Sequence, residues 1–296
     1  MKLLVVIVTY NAMQWAERCF RSLTTSSLVP DVYVVDNGSS DGTQEFIKQH
    51  YPNVMFHQSK ENLGFGKANN LGLQYAKDHQ YDFVYLLNQD AWVFPETFEK
   101  IIDISLRNPE YGILSPFQME ANMEHLDSIF KRGVCSWKSS PNLLDDIYLK
   151  KNKEVIPVRL VMAAHWLIPR KCLLKVGGFS PTFPHYAEDN NYQDRIIFWG
   201  MKIGVTPSLR AVHDRENRVE SKEKGIYLAY TQKLRNLSNP IEKEHFFKDI
   251  IINTIRETLR FRSFTPILYF FKIVKGLPMI RRNRYLSTSS DSAFLS

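Results

Sequence analysis

Phe83-Val84-Tyr85-Leu86-Leu87-Asn88-Gln89-Asp90 is an apolar, β-favouring run that stops abruptly at two amides and a carboxylate. Such a run, bounded by polar residues, reads as a buried strand with Asp90 at its end. In open α/β sheets ligands gather at the carboxyl ends of the strands, so Asp90 is a candidate for a metal or phosphate site.

The same pattern recurs outward from this stretch. Strand-like runs at 3–8 and 32–35 join 83–87 and alternate with helix-like segments at 14–23, 43–49 and 66–77. This alternation predicts an α/β fold with a largely parallel, doubly wound sheet flanked by helices. A further helix is expected from Pro95 to about Asn108, because proline suits a first helical position. Residues 119–154 show mixed polarity and no clean period, which predicts a connecting excursion across one face. Regular signals resume at 158–168, followed by helices from Pro169 to Gly177-Gly178 and from Glu188 to Trp199, before Gly200. Beyond Tyr227 the chain reads as helical, with Phe246, Ile250, Ile251 and Ile255 recurring among charges. The expected organisation is a sheet-bearing unit over 1–225, a helical basic extension over 226–286 and a Ser-rich, disordered tail over 287–296.

A chain of 296 residues that is 44% hydrophobic can bury a sizeable core, which sets disorder aside as the main theme. The apolar run at 3–8 is too short for a membrane span and lacks a cleavage site, so it reads as a first buried strand. Cys19, Cys135 and Cys172 are widely separated, which indicates neither a disulfide framework nor a cysteine zinc site and fits a reducing cytosol. Much of the net charge of +7 lies late in the chain, where ten Lys and Arg from Ile241 onward face five Asp and Glu. No interleaving of basic and aromatic residues and no recognised module accompanies it, so nucleic acid is not an expected partner. Phe264-Thr265-Pro266-Ile267-Leu268-Tyr269-Phe270-Phe271, followed by Lys272, Lys275, Arg281, Arg282 and Arg284, fits two arrangements. One is an interfacial helix drawn to anionic lipid; the other is a helix packed on the catalytic unit with a solvated basic end.

Two further strands deliver polar groups to the sheet edge. The first ends in Val8-Thr9-Tyr10-Asn11 and the second runs into Val34-Val35-Asp36-Asn37-Gly38-Ser39-Ser40-Asp41-Gly42-Thr43. Asp36 is placed to accept hydrogen bonds from a base or ribose, and Tyr10 to pack against a base. Asn37-Gly38 suits a turn, and Asp41 with Gln44 three residues on suits a helix cap. Glu61-Asn62-Leu63-Gly64-Phe65-Gly66-Lys67-Ala68-Asn69-Asn70-Leu71-Gly72 opens a helix behind a glycine-containing turn, with Lys67 in its first turn. Helix N-termini attract phosphate. The segment lacks the glycine spacing and the Ser/Thr of a Walker loop, and alone it would read as a solvated turn.

In order and wording these segments resemble the family 2 glycosyltransferases of the GT-A fold. The family pattern runs V-T-Y-N, then V-D-N-x-S-x-D-G-T, then N-x-G-x-x-x-A-x-N, then a strand ending in a D-x-D-like metal site. The resemblance continues through Val161-Met162-Ala163-Ala164-His165-Trp166-Leu167-Ile168-Pro169-Arg170 and Val176-Gly177-Gly178-Phe179 to Tyr186-Ala187-Glu188-Asp189. It implies a GT-A-type mixed, mostly parallel sheet and an inverting transfer from a nucleotide-sugar donor to a glycan or lipid-linked acceptor. Cell-surface polysaccharide synthesis is the expected setting, in the cytoplasm or peripherally on the inner membrane face. The donor would be held by Thr9, Tyr10, Asn11, Asp36, Asn62, Gly66, Lys67, Asn70, Asn88 and Gln89, with Mn²⁺ or Mg²⁺ at Asp90.

In the family the Tyr186–Asp189 stretch holds the catalytic carboxylate, which implies Asp189 as base with Glu188 beside it. The competing account is two acids complementing a helix dipole. Glu188-Asp189-Asn190-Asn191 with Arg195 approximates an E-D-x-D…R subset that includes rhamnosyltransferase-like members, and leaves Asp194 as a helix-surface residue. His213, closing the β-like run Leu209-Arg210-Ala211-Val212-His213, is either structural or a partner of the metal or diphosphate; His165 and His185 are weaker acceptor-side candidates. Two rivals stand beside this assignment. A sugar nucleotidyltransferase would show a basic, glycine-rich loop where Thr9-Tyr10-Asn11 stands. A non-catalytic nucleotide-sugar-binding protein is suggested by Asn88, which replaces the family's first acid.

Overall fold

The computed structural model describes residues 1–215, 221–242 and 247–296, so Phe246 lies outside the described residues. The chain opens with β1 (Leu3–Thr9), α1 (Met13–Thr24), β2 (Asp31–Asp36), α2 (Thr43–His50), β3 (Met55–Gln58), α3 (Phe65–Asp78) and β4 (Phe83–Asn88). Strands β3, β2, β1 and β4 lie side by side in that order, and every pair is parallel. A strand-helix rhythm produces this, because a helical crossover returns the chain to the same end of the sheet. All of β1 except Val8 is buried, as expected of a parallel strand covered by helices on both faces.

Beyond β4 the sheet becomes mixed. The chain continues with β5 (Ala91–Val93), α4 (Thr97–Arg107), β6 (Tyr111–Met119), α5 (Ser128–Val134), α6 (Leu143–Tyr148) and β7 (Ile156–Pro157). It then forms β8 (His165–Pro169), α7 (Arg170–Val176), α8 (Glu188–Phe198) and β9 (Lys202–His213). The order runs on as β4-β8-β6-β9-β5, with β7 also on β9, and β6–β9 is the parallel pair of this half. One apolar layer holds Val6, Leu73, Trp166, Phe179 and Tyr192; the opposite layer holds Val5, Ile7, Phe20, Tyr85 and Phe98. Gly72 lets α3 lie directly on β1, since a Cβ there would stand 2.4 Å from Val6 Cγ1. A side chain at that point would push the helix off the sheet.

The structure departs from the sequence expectations at several points. β6 lies in the middle of the sheet, yet Gly112 and Pro116 disguise it. Pro116 sits beside a register shift against β9, a place where a strand tolerates proline. Helix α4 starts at Thr97, two residues after Pro95, whose carbonyl instead accepts the Ser27 N–H. The excursion over 119–154 contains the short helices α5 and α6.

The C-terminal helices are α9 (Lys222–Ser238), α10 (Phe247–Phe261) and α11 (Thr265–Ser289). Their core of Tyr230, Leu234, Leu237, Ile250, Ile273 and Ile280 also takes in Phe183 and Ala187, on the segment that enters α8. The last residues are docked rather than disordered. Ser292 donates through its N–H and hydroxyl to Leu174 O at the end of α7, and Gly178 N–H donates to Ala293 O. The last carbonyls of a helix lack intrahelical partners, so small polar residues find a ready seat there despite their loop-like composition.

Candidate active site

The carboxyl ends of β1, β2 and β4 meet at one edge. Thr9 is buried and donates its hydroxyl to Asp36 Oδ2 at 2.8 Å. Asp36 also accepts from the Gly38 and Ser39 N–H groups, the Ser39 hydroxyl and Gln44 Nε2. Its oxygens face the loop after β2, so the carboxylate shapes that loop. Gln44 therefore does not complete a capping box with Asp41. Asp41 instead accepts from the Thr43 N–H and hydroxyl and from the Met13 N–H, tying the starts of α2 and α1 together. Asn11, at φ 50°, accepts the Ser40 N–H and donates its own N–H to Ser39 Oγ. Gln89 grips the main chain of Tyr10, accepting its N–H at 2.6 Å and donating to its carbonyl at 3.2 Å. The Tyr10 side chain is left 48% exposed at the edge.

The start of α3 packs against the chain leading into α8. Asn62 is exposed and accepts the Gly64 N–H, while Lys67 is exposed in the first turn. Gly66 lies against the carboxylate segment: a Cβ there would meet Phe179 Cβ at 3.0 Å and Glu188 Cγ at 3.6 Å. Asn70 commits both ends of its amide to the Phe179 backbone, at 2.7 and 2.9 Å. It fastens α3 to the chain leading into α8.

The ends of β4 and β9 form a third cluster. Asp90 is 3% exposed, with His213 Nε2 3.4 Å from its Oδ1 and Asn88 Nδ2 3.5 Å from the same nitrogen. His213 Nδ1 faces Gln118 Oε1 at 3.3 Å and the Arg215 guanidinium at 2.9 Å, and Arg215 also pairs with Asp127 at 3.2 Å. Burial lowers the His213 pKa against the pull of Asp90. Among the described residues no three His, Cys, Asp or Glu side chains gather as a metal site. The donor set nevertheless fits a hard divalent cation, which fills much of its shell with phosphate and water oxygens. The Arg215 guanidinium donates to His213 Nδ1, so the ring proton sits on Nε2 toward Asp90, and Asp90 is the charged oxygen ligand that this cluster offers.

Glu188 and Asp189 open α8 behind two successive residues at positive φ, Tyr186 at 63° and Ala187 at 68°. Left-handed non-glycine backbone is strained and tends to persist at functional sites. Here it turns Glu188 inward, 4% exposed and with Oε2 lacking a hydrogen-bond partner, while Asp189 stays half-buried. Burial, then the neighbouring Asp189 charge, pushes the Glu188 carboxyl up to about 8. Burial raises Asp189 as well, opposed by the Asn190 N–H and by Arg235 and Arg215.

Several residues take roles other than those expected. Asp194 is no surface residue: it is 1% exposed and pairs with Arg159 at 3.1 Å and Arg235 at 2.9 Å. Arg195 is fully buried and donates to Gly178 O and Val176 O, satisfying carbonyls at the end of α7. His165 is buried in the sheet between the Tyr85 hydroxyl and Val212 O, and burial lowers its pKa to about 3. It is a core histidine held by the sheet; His185 is exposed beside Tyr186. The sequence gives no notice of Gln118, because β6 is disguised, or of Arg235, which reaches the site from α9. Arg215, two residues past His213, had a signal in its spacing.

Residues 4–163 match the Glycosyl transferase family 2 profile. The N-acetylglucosaminyl-diphospho-decaprenol L-rhamnosyltransferase of Mycobacterium tuberculosis is 27% identical over 231 residues, covering 71% of this chain and 75% of that protein. Rhamnosyltransferase WbbL of Escherichia coli K12 is 23% identical over 223 residues, covering 71% and 82%. S. aureus TarS 1–349 in complex with UDP-GlcNAc shares the fold, with a TM-score of 0.56 at 17% identity, covering 97% of this chain and 79% of that one. In a longer TarS chain this protein spans 42% of the length. The profile match takes in more than half of the chain, including the edge where β1, β2 and β4 end, and the protein belongs to glycosyl transferase family 2.

Proposed function

We propose that this glycosyltransferase moves a sugar from a nucleotide-diphosphate donor to a hydroxyl of a lipid-linked glycan, with inversion, in cell-surface polysaccharide synthesis. The observation that carries this reading is the convergence of two clusters. Gly66 at the donor edge abuts Glu188, and Arg215, bonded to His213, also acts on the Asp189 charge.

Tyr10 and the loop organised by Thr9, Asn11 and Asp36 hold the nucleoside, and Gln89 fixes the Tyr10 backbone. Lys67 and the α3 N-terminus offer positive charge to the diphosphate. Asp90, with His213 and Asn88 beside it, would hold Mn²⁺ or Mg²⁺, which when bound supplies Lewis-acid stabilisation to the departing diphosphate. Asp189 takes the proton of the acceptor hydroxyl as that oxygen attacks the anomeric carbon, and the carbon–oxygen bond to the diphosphate breaks on the opposite face. A base whose pKa is raised toward neutrality is well matched to this task. Glu188, protonated beside Asp189, keeps a second buried negative charge away from the base.

The acceptor class follows the Mycobacterium tuberculosis relative, whose name specifies an N-acetylglucosaminyl-diphospho-decaprenol. Peripheral contact with the inner membrane face through the C-terminal helices belongs to the same reading. Thermal shifts across UDP, dTDP and GDP sugars, with and without Mn²⁺, test it, followed by donor hydrolysis. One nucleotide class should raise the melting temperature, more so with metal. No shift with any nucleotide would overturn the donor site.

A further inference from the structure

We propose that the corner between α10 and α11 is a docking wedge for an anionic lipid bilayer, set to deliver a membrane-embedded acceptor to Asp189. This rests on the lipid-linked acceptor proposed above and names the surface that would meet the membrane.

Leu259 is 73% exposed, Phe264 80%, Leu268 67% and Phe271 62%. Positions 264, 268, 271, 275, 279 and 282 follow helical spacing, so they share one face of α11. Along it the exposed apolar residues pass into Lys275, Met279 and Arg282, also exposed. The opposite face carries Ile273 and Ile280, which are buried against α9 and α10, so the exposed row is not the packing face. Ile255 and Leu259 continue the row onto α10. Scattered exposed apolar residues need no explanation, but a contiguous row edged by polar groups marks an interaction site.

Charge decides the occupant. Helix α11 carries Lys272, Lys275, Arg281, Arg282 and Arg284 and no Asp or Glu. A helix with apolar residues on one face and Lys and Arg around them lies in the interface of an anionic bilayer. Among the described residues no helix is long and apolar enough to cross a membrane, so this one would lie on the surface.

The wedge is joined to the chemistry by packed aromatic rings. Tyr269 of α11 stacks on Tyr230 at 4.4 Å, and Tyr227 contacts both Tyr269 at 5.9 Å and Tyr186 at 6.2 Å. Tyr186 stands two residues before Glu188. Docking would therefore bring the acceptor-side carboxylates to a fixed position over the lipid surface.

The test is co-sedimentation of the whole chain with neutral phosphatidylcholine vesicles and with vesicles containing phosphatidylglycerol, at low and high salt. Wild type should pellet with the anionic vesicles and be released by salt. Phe264→Asp with Leu268→Asp should weaken that binding at least about tenfold, as should Lys275→Glu with Arg282→Glu, with melting temperature and donor hydrolysis unchanged. Wild type that fails to pellet, or variants that pellet as well as wild type, would overturn the wedge. So would a wild-type dimer in sedimentation velocity that Phe264→Asp dissociates, since the row would then be a contact between copies. Failure here with intact nucleotide shifts refutes the wedge alone; loss of those shifts refutes the donor site.

Discussion

Asp36 and Glu188 are both buried carboxylates, and the fold treats them in opposite ways. Asp36 accepts five hydrogen bonds from its own loop, from β1 and from α2. Glu188 has an oxygen with no hydrogen-bond partner and follows two residues held at positive φ. A buried charge with a full set of donors is structural scaffolding, whereas one without them is kept protonated or poised for chemistry. The loop after β2 is thus rigidly built around its carboxylate, whereas the entry to α8 holds two successive residues in left-handed backbone.

The sharpest way to break this contrast is Asp189→Asn. Transfer should fall about 1,000-fold or more, as for loss of a general base, while nucleotide thermal shifts persist; near-normal transfer would move the base elsewhere. Asp36→Ala should instead act on stability, because it strands several buried donors. A loss of about 3 kcal/mol in urea melts is expected, and an unchanged midpoint would mean the carboxylate is dispensable to the loop. Asp90→Ala should remove the metal-dependent part of the nucleotide shift, about tenfold in apparent affinity, and leave the metal-free part. An unaltered Mn²⁺ response would relocate the cation.

Glu188→Gln tests the contrast most directly. The Glu188 carboxyl goes from an ordinary value of 4.5 to about 8 in the folded protein. The folded state therefore holds its proton more tightly, so Glu188's contribution is full below the unfolded value and is lost as pH rises toward 8. Glutamine removes that slope. The variant should gain on wild type between pH 5 and pH 8 in urea melts, and parallel curves would show that Glu188 is not held protonated.

In the parallel half β1, β2 and β4 were legible because each is a local apolar run punctuated by its own polar end, whereas β3 (Met55–Gln58) is a short, half-exposed edge strand with no such run. Asn88-Gln89-Asp90 and Asp36-Asn37-Gly38 announce themselves without any distant partner. The other half is assembled by long-range pairing, and Pro116 within β6 hides the strand that carries Gln118. Asp194 looked like a surface acid because its burial depends on Arg235, supplied by α9 from far along the chain. His165 shows the same limit: its confinement needs Tyr85 and Val212 from neighbouring strands. For the site, motif order gave the positions of the candidates. It could not tell which side chains face a ligand and which, like Asn70 and Gln89, are occupied by the backbone.

Phe183 and Ala187 belong to the core of the C-terminal helices, and this bears on modular exchange between related enzymes. A chimera joined at the end of the sheet-bearing unit would inherit the donor edge whole but would uncouple the turn that aims Glu188 and Asp189. The turn before α8 and helices α9 to α11 share one core, whereas β9 between them stays in the sheet, so the turn and those helices need to be exchanged together.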